Sequence, residues 1–294
     1  MNAPVIALEH LTKRYGSFEA LSDLTLHIEK GCVYGLLGPN GAGKTTTFKC
    51  MLGLARPTSG TATFEGAPLV PAAFERIAYL PERSALYGWM TGAQHLELSR
   101  RYFRSFDVAR ASELLAMFSL DPRKRAGSLS KGQQTALALV LAFATRPDIL
   151  ILDEPASGLD PVHQRSVLDL IIEAAAGGAT VLFSSHQITQ VERAADHIAI
   201  LKQGRLILSG EVDELKSDEK VVEAIFDYDV PELNGLASDA RVRRIERMGH
   251  MLRTFVRTDS AGVIRDLEAM QPKALQTHDL NLEDIFLNAV GERK

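Results

Sequence analysis

Short apolar runs alternate with helical patterns along residues 1–210. Val5–Leu8 and Leu24–Ile28 alternate apolar and polar positions, which is typical of half-buried strands. The apolar run Val33–Leu37 predicts a buried strand, followed by a Gly-rich turn and a helix from Gly43 to about Leu54. Further strands are predicted at Ile149–Leu152, Thr180–Phe183, His197–Leu201 and Arg205–Ser209. The segment 202–204 between the last two strands is typical of a hairpin turn. Strands separated by helices indicate an α/β fold whose mixed sheet is largely parallel, with antiparallel pieces at its edges.

Residues 83–145 have a different pattern, with helical periodicity and no clear strand. The segment Thr91-Gly92-Ala93-Gln94 resembles a capping box and predicts a helix toward Arg104. Asp107 is a candidate N-cap for a second helix that ends near Phe118. Ser130 is a candidate N-cap for a third helix, over residues 131–145. We therefore expect an all-helical subdomain inserted in the α/β frame.

The character of the chain changes again near Gly210. Residues 1–210 carry 21 basic and 19 acidic side chains, whereas residues 211–294 carry 12 and 18. The second stretch shows short strands, a turn at 248–250 and helices at about 261–270 and 282–290. These features predict one large domain over residues 1–214 and a small accessory α+β domain over residues 215–294.

Composition narrows the class of protein. A net charge of -4 over 294 residues argues against a protein that coats nucleic acid. The two cysteines, Cys32 and Cys50, cannot form a disulfide framework. No signal-peptide pattern is visible, and the longest apolar run, about 136–144, is far shorter than the ~20 residues of a membrane span. We expect no transmembrane segment, although the chain can still dock on a membrane protein.

The eight residues after the buried strand carry the strongest chemical signal. Gly38-Pro39-Asn40-Gly41-Ala42-Gly43-Lys44-Thr45 matches the phosphate-binding P-loop pattern. Glycines let the backbone turn its N–H groups toward phosphate oxygens, and the dipole of the following helix favours an anion. Lys44 is expected to reach the β- and γ-phosphates of ATP, and the Thr45 hydroxyl is expected to bind Mg²⁺.

A second signal follows the apolar strand at 149–152. Asp153 at the end of that strand suits a carboxylate that holds the Mg²⁺ hydration shell. The adjacent Glu154 is placed to polarise an attacking water as a general base.

Further segments, in order along the chain, match one family. They are Tyr15, Leu129-Ser130-Lys131-Gly132-Gln133, Ser157-Gly158-Leu159-Asp160 and His186. With the P-loop and the Asp153-Glu154 pair, they make the chain resemble an ATP-binding subunit of an ABC transporter across residues 1–210. The four additional matches resemble the adenine-stacking aromatic residue, the LSGGQ signature, the D-loop and the switch histidine of that family.

The resemblance implies a role for each matching residue. The signature would grip the γ-phosphate of ATP held by an opposing subunit, so that each chain supplies half of two composite sites. The implied nucleotide-binding residues are Tyr15, Gly38, Pro39, Asn40, Gly41, Ala42, Gly43, Lys44, Thr45, Thr46, Ser130, Gly132 and Gln133. The implied catalytic residues are Lys44, Glu154 and His186, and the implied Mg²⁺ ligands are Thr45, Glu82 and Asp153.

Two positions depart from the family pattern. Glu82 stands where the family has a glutamine that joins Mg²⁺ to the helical insert, and we assign it the same coupling role. Lys131 replaces the first signature glycine, and its side chain either contacts phosphate or points to solvent. Because Lys44, Asp153 and Glu154 are retained, we expect hydrolysis to survive both changes.

The resemblance implies a cytoplasmic ATPase, held at the inner face of the cell membrane by a permease on a separate chain and paired with an identical or different ATP-binding subunit. Residues 83–131 carry a net +5 charge, which suits acidic permease loops, lipid headgroups or simply a solvated face. The segment 280–287 resembles the ending of a subfamily that serves drug and antibiotic exporters, although an amphipathic helix explains the same residues. Two alternatives remain open: a soluble ABC ATPase of translation or DNA repair, and a regulatory module that does not hydrolyse ATP. No nucleic-acid partner is expected.

Overall fold

The computed structural model describes residues 4–83, 85–217, 219–233 and 235–290. The chain divides between Ser209 and Gly210 into two compact units, which are described separately. This division lies five residues before the predicted boundary at 214/215. The predicted boundary falls within a short helix, α7 (Val212–Ser217).

A six-stranded sheet forms the centre of the first unit. Its strand order is β10-β9-β3-β8-β7-β6. The strands are β3 (Val33–Leu37), β6 (Ile77–Leu80), β7 (Ile149–Asp153), β8 (Thr180–Ser185), β9 (His197–Lys202) and β10 (Arg205–Glu211). Strands β9, β3, β8, β7 and β6 pair in parallel, so their carboxyl ends lie along one edge of the sheet. Gln203 and Gly204, both with positive φ, form the tight turn into β10, which confirms the predicted hairpin.

A second sheet of the first unit is antiparallel, with strand order β2-β1-β4-β5. Its strands are β1 (Ile6–Tyr15), β2 (Phe18–Ile28), β4 (Ser59–Phe64) and β5 (Ala67–Pro68). The sequence pattern located only parts of β1 and β2, and it missed β4. Strand β4 is mostly exposed and reads Ser-Gly-Thr-Ala-Thr-Phe, so it lacks the apolar alternation that predicts a strand.

One apolar cluster joins the two sheets of the first unit. Ile6, Leu8 and Leu24 of the antiparallel sheet belong to the same cluster as Leu36 and Ile151 of the parallel sheet. Helix α1 (Lys44–Met51) adds Phe48, which is 1% exposed, and Met51 to this core. The loop that leads into α1 therefore follows a buried strand, β3, and precedes a helix whose inner face is buried. Two further helices of the core, α5 (Pro161–Ala176) and α6 (Ile188–Ala194), pack against β8.

The insert contains the three predicted helices: α2 (Gly92–Tyr102), α3 (Val108–Met117) and α4 (Lys131–Ala144). Thr91 and Gln94 form a reciprocal capping box at α2, and Asp107 caps α3 by accepting from the Arg110 N–H. The N-caps were predictable because each depends on side chains within three residues of the helix start. Short 3₁₀ turns occur at Pro71–Arg76 and Ala126–Ser128.

The second unit is α+β. Its antiparallel sheet has the order β12-β13-β11-β14, formed by β11 (Lys220–Ile225), β12 (Val242–Met248), β13 (Met251–Val256) and β14 (Ala274–Asp279). The helices α8 (Ser260–Glu268) and α9 (Leu282–Val290) follow the predicted pattern, and Leu236–Ser238 is a 3₁₀ turn. Val222, Leu252 and Leu267 lie at the centre of its separate core. None of the helices in the described ranges is long and apolar enough to cross a membrane.

Candidate functional site

The P-loop connects the carboxyl end of β3 to α1, as the sequence predicts. Two glycines are required by contacts as well as by conformation. A Cβ on Gly38 would lie 2.4 Å from the Leu201 carbonyl oxygen. Gly43 has a φ of 110°, and a Cβ there would lie 2.9 Å from the Ala20 carbonyl oxygen. The backbone of the loop therefore packs closely against the backbone at Leu201 and Ala20.

The first turn of α1 is open to an anion. Gly43 is its N-cap and provides no side-chain acceptor, so no side chain satisfies the N–H groups of the first turn. The loop is held in place by backbone hydrogen bonds from Gly204 to the Ala42 carbonyl and from Ala42 to the Pro39 carbonyl. A fixed loop with N–H groups at a helix start is a ready site for phosphate.

Glu154 lies between two other predicted catalytic residues. Its Oε1 is 3.4 Å from the Lys44 Nζ, and its Oε2 is 2.8 Å from the His186 Nδ1. The side chains of Lys44 and Glu154 are 7% and 13% exposed, so their attraction is only weakly screened by water. Lys44 also donates to the Gly38 carbonyl over 2.8 Å. Lys44 begins α1 after the P-loop, whereas Glu154 and His186 directly follow β7 and β8. The strands β3, β8 and β7 are neighbours in the sheet.

Ser184 at the end of β8 was missed by the sequence analysis. Its hydroxyl donates to the Asp153 Oδ1 over 2.6 Å and accepts from the Glu154 backbone N–H over 2.9 Å. One hydroxyl therefore fixes two adjacent acidic residues. Glu154 has a φ of 52°, an uncommon value for a residue other than glycine, and the bond from Ser184 helps to hold it there. The only sequence signal was a polar residue at the end of an apolar strand.

The other oxygen of Asp153 has no hydrogen-bond partner among the described residues, although Asp153 is 1% exposed. A buried carboxylate oxygen without a donor is costly unless a cation or an ordered water meets it. Burial, followed by the charges of Asp153 and Glu82, raises the pKa of the nearby Tyr79 phenol. The negative charge and the open oxygen fit a hydrated Mg²⁺ in this place.

One cavity of about 360 Å³ lies between the P-loop and the two acidic residues at the end of β7, Asp153 and Glu154. Its lining is Phe18, Ala20, Asn40, Gly41, Ala42, Gly43, Lys44, Thr45, Thr46, Glu82, Asp153, Glu154, Ser157 and His186. The three predicted Mg²⁺ ligands and the three predicted catalytic residues are all in this set. Phe18 and Ala20, which follow the turn between β1 and β2, were not predicted as site residues. Ser157 was noted only as part of the segment that resembles the D-loop, and it also lines the cavity.

Tyr15 lies near the cavity but is not part of its lining. Tyr15 is paired with Phe18 across the β1–β2 hairpin, and the two rings are 49% and 63% exposed. The Lys13 Nζ lies 4.7 Å from the centroid of the Tyr15 ring. The hairpin thus offers two aromatic faces at one end, of which Phe18 is the one that reaches the cavity. The stacking of Tyr15 on adenine stays a prediction.

The signature segment lies outside this cavity. Ser130 is the N-cap of α4 and forms a reciprocal capping box with Gln133. A Cβ on Gly132 would lie 2.5 Å from the Gly158 carbonyl oxygen, so the signature packs directly on the segment 157–160. Lys131 is exposed, and part of its aliphatic chain lies near Gly158. Ser130, Gly132 and Gln133 are therefore separated from the cavity of their own chain.

Parts of the chain match known protein families. The family described as "ABC transporter" matches residues 21–157, and one described as "AAA domain, putative AbiEii toxin, Type IV TA system" matches residues 125–191. The chain is 31% identical over 293 residues to the ABC transporter ATP-binding protein YtrB of Bacillus subtilis, in an alignment covering 99% of each protein. This chain belongs to the ABC transporter ATP-binding family. It has the P-loop NTPase fold and the ATPase activity of that family, as the sequence predicts.

Two other relatives of this ATP-binding subunit have more specific names. The chain is 33% identical to the Nod factor export ATP-binding protein I of Cupriavidus metallidurans, over 98% of this chain and 97% of the relative. It is 35% identical to the daunorubicin resistance ATP-binding protein DrrA3 of Streptomyces coeruleorubidus, over 96% and 91%.

Solved structures of ABC ATP-binding proteins share the fold. An ATP-binding subunit of an ABC transporter has a TM-score of 0.66 and 31% identity, over 72% of this chain and 92% of that one. The dimeric, post-hydrolysis state of the ATP-binding cassette MJ0796 with ADP and phosphate has a TM-score of 0.63 and 25% identity, over 70% and 98%.

The contact between Gly132 and Gly158 yields a prediction. In a Gly132→Ala variant, the new methyl group pushes the signature away from the segment 157–160. We expect ATP hydrolysis to fall by about 100-fold, because displacements of about 1 Å can cost that much. Steady-state phosphate release measures the effect, and circular dichroism checks the fold.

The matched control is Gly88→Ala, in the same insert, where the nearest atom lies 3.6 Å from the added Cβ. That variant should keep the wild-type rate. A Gly132→Ala rate within a factor of about two of the wild type would show that this close contact is unimportant for the chemistry.

Proposed function

We propose that this ATP-binding subunit forms a dimer that closes on two ATP molecules with Mg²⁺ and drives a separate membrane permease, in the direction of export. One observation carries the proposal. Residues of the P-loop line the same cavity as the residues expected to hold the metal and activate water. The signature, at the start of α4, lies outside this cavity.

The P-loop is expected to bind the phosphates of ATP. The first-turn N–H groups of α1 face the anion, and Lys44 moves its ammonium group to the β- and γ-phosphates. The Lys44 Nζ lies 3.4 Å from the Glu154 Oε1. The incoming γ-phosphate competes for this cation and frees the Glu154 carboxylate to meet water.

Thr45, Asp153 and Glu82 are expected to hold Mg²⁺, Asp153 through its open buried oxygen and Glu82 through metal-bound water. Mg²⁺ held by these residues would supply positive charge that offsets the negative charge of the phosphates during hydrolysis. Glu82 also begins the segment that leads into the helical insert. Its position supports the coupling role that was assigned to it from the sequence.

Glu154 is expected to act as the general base. Its carboxylate accepts a proton from water as the water oxygen bonds to the γ-phosphorus. The bond from that phosphorus to the β,γ-bridging oxygen breaks, which leaves ADP and inorganic phosphate. The His186 Nδ1 lies 2.8 Å from the Glu154 Oε2, so the ring is placed to orient this carboxylate, and we expect it to contact the γ-phosphate.

The missing half of the site is expected to come from a second subunit. Ser130 is exposed at the start of α4 and lies outside the cavity lining, so its hydroxyl and the nearby N–H groups suit the γ-phosphate of an opposing ATP. This need for a second subunit supports a closed dimer, and the related MJ0796 cassette is dimeric. Closure and reopening of such a dimer can move an attached permease between two states.

Export is supported by the named relatives and by the end of the chain. One relative is named for Nod factor export and another for daunorubicin resistance, and both align over most of this chain. The segment 280–287, which resembles the exporter subfamily, forms the start of α9 with Leu282 and Ile285 buried. A permease places the subunit at the cytoplasmic face of the membrane.

A Glu154→Gln variant tests the catalytic assignment. The amide cannot take the proton from water, so we expect the rate of ATP hydrolysis to fall by about 100-fold or more while ATP binding remains. Phosphate release and equilibrium binding of a fluorescent ATP analogue measure the two quantities. Glu75→Gln, at an exposed residue of the first unit, is the control and should match the wild type. Equal turnover in the two variants would contradict the assignment.

The transporter assignment is tested by capture from solubilised membranes. A tagged Glu154→Gln chain, held with ATP and Mg²⁺, should retain an integral membrane protein in a fixed ratio, because blocked hydrolysis prolongs the closed state. Quantitative mass spectrometry measures that ratio. Recovery of ribosomes without a membrane protein would instead favour the soluble ABC ATPase.

A further inference from the structure

A second cluster of metal-ligating side chains lies in the first unit, outside the nucleotide cavity. Glu29, Cys32 and His197 place a carboxylate oxygen, a thiol sulfur and an imidazole nitrogen within 4.8 Å of one another. None of the three belongs to the cavity lining. We propose that these three residues form a binding site for a zinc-type divalent transition-metal ion.

The donor set decides the class of ion. Thiolate and imidazole are preferred ligands of Zn²⁺ and related ions, whereas Mg²⁺ and Ca²⁺ take oxygen ligands. A carboxylate as third ligand is common for Zn²⁺, and a water molecule can complete a tetrahedral set of four. The chemistry therefore separates this site from the expected Mg²⁺ site at Thr45, Glu82 and Asp153.

The distances fit a tetrahedral ion after small movements. Ligand atoms lie about 2.0–2.3 Å from Zn²⁺, so two of them are about 3.5 Å apart. Glu29 is exposed and Cys32 is half-buried, so side-chain rotation can close the remaining gap. The Cys32 Sγ lies 3.8 Å from the Lys30 carbonyl oxygen, and a bond from its thiolate to Zn²⁺ is much stronger than a thiol contact of this length.

The backbone around the cluster is already held on both sides. The Val33 N–H donates to the Asp196 Oδ2 over 2.8 Å, and the Asp196 N–H donates to the Val33 carbonyl over 2.9 Å. These bonds join the residue that follows Cys32 to the residue that precedes His197. The Val181 N–H also donates to the Cys32 carbonyl over 3.0 Å. Ligands on a fixed frame lose little freedom when a metal binds.

Tyr34 orients two of the ligands. Its ring stacks on the His197 ring, with centroids 4.7 Å apart and planes 9° from parallel. Its hydroxyl oxygen accepts from the Glu29 backbone N–H over 3.2 Å. Tyr34 is 8% exposed, so it forms a rigid support beneath the cluster. Supporting residues of this kind orient the ligands of metal sites.

The cluster lies at the opposite edge of the sheet from the nucleotide. Cys32 precedes β3 and His197 begins β9, whereas the P-loop follows the other end of β3. Five residues of strand separate the two edges by about 16 Å. A metal ion here would clamp the amino ends of two neighbouring strands without entering the catalytic cavity.

Cobalt provides the test, since Co²⁺ occupies zinc sites and its bond to a thiolate absorbs light. The full chain is titrated with Co²⁺ under a phosphine reductant, with Mg²⁺ and ADP in excess to fill the nucleotide cavity. We expect one Co²⁺ per chain, a thiolate-to-cobalt charge-transfer band, and displacement of that band by Zn²⁺. Failure to bind Co²⁺ and Zn²⁺ under these conditions would overturn the proposal and leave the proposed ATPase mechanism untouched.

Variants assign the ligands. Cys32→Ser should abolish the band, and His197→Phe, which keeps a ring to stack on Tyr34, should weaken binding by more than about 100-fold, because even outer partners of metal ligands cost 10- to 100-fold. Cys50→Ala and His27→Ala are controls that should keep both the band and the affinity. A band that survives Cys32→Ser, or is lost in Cys50→Ala with the fold intact, would place the metal elsewhere and overturn the proposal.

Discussion

The carboxylate of Glu154 joins the parts of the nucleotide site. It contacts Lys44, which follows β3, and His186, which follows β8, while its own backbone is held by Ser184. This arrangement depends on parallel pairing, because β7, β8 and β3 must end at one edge for the three side chains to meet. The buried core beneath the edge, including Leu36, fixes that register.

Local chemistry explains what could be predicted from the sequence. The P-loop pattern, the capping box at Thr91, the N-cap at Ser130 and the tight turn at Gly204 each depend on a few neighbouring residues. Their conformations follow from glycine φ angles and short-range hydrogen bonds, so the pattern alone was sufficient. The Asp153-Glu154 pair was found because it ends an apolar strand after a P-loop.

Long-range contacts explain what could not be predicted. Ser184 lies 30 residues from Glu154 in the chain, and only the β7–β8 register brings its hydroxyl to both acidic residues. Phe18 reaches the cavity through the pairing of a hairpin whose exposed rings give no periodic signal. The close approach of Gly132 to Gly158 likewise depends on packing between segments. Strand β4 was not predicted because most of it is exposed and it has few apolar residues.

The separation between the cavity and the signature has the largest consequence for function. Ser130, Gly132 and Gln133 form the start of α4 and do not line the cavity, although the signature touches the segment 157–160 that borders it. We therefore predict that one chain alone cannot form a complete ATP-hydrolysing site. ATP binding and subunit contact become one event, which is how a hydrolytic cycle can do work on another protein.

A mixing experiment tests this claim most directly. A Lys44→Ala chain and a Ser130→Arg chain should each be inactive alone, and their equimolar mixture should recover roughly a quarter of the wild-type ATPase rate. Half of randomly formed twofold dimers are mixed, and each mixed dimer holds one intact composite site of two. No recovery in mixed dimers confirmed by a two-tag pull-down, or full activity of the Ser130→Arg chain as a monomer, would contradict the account.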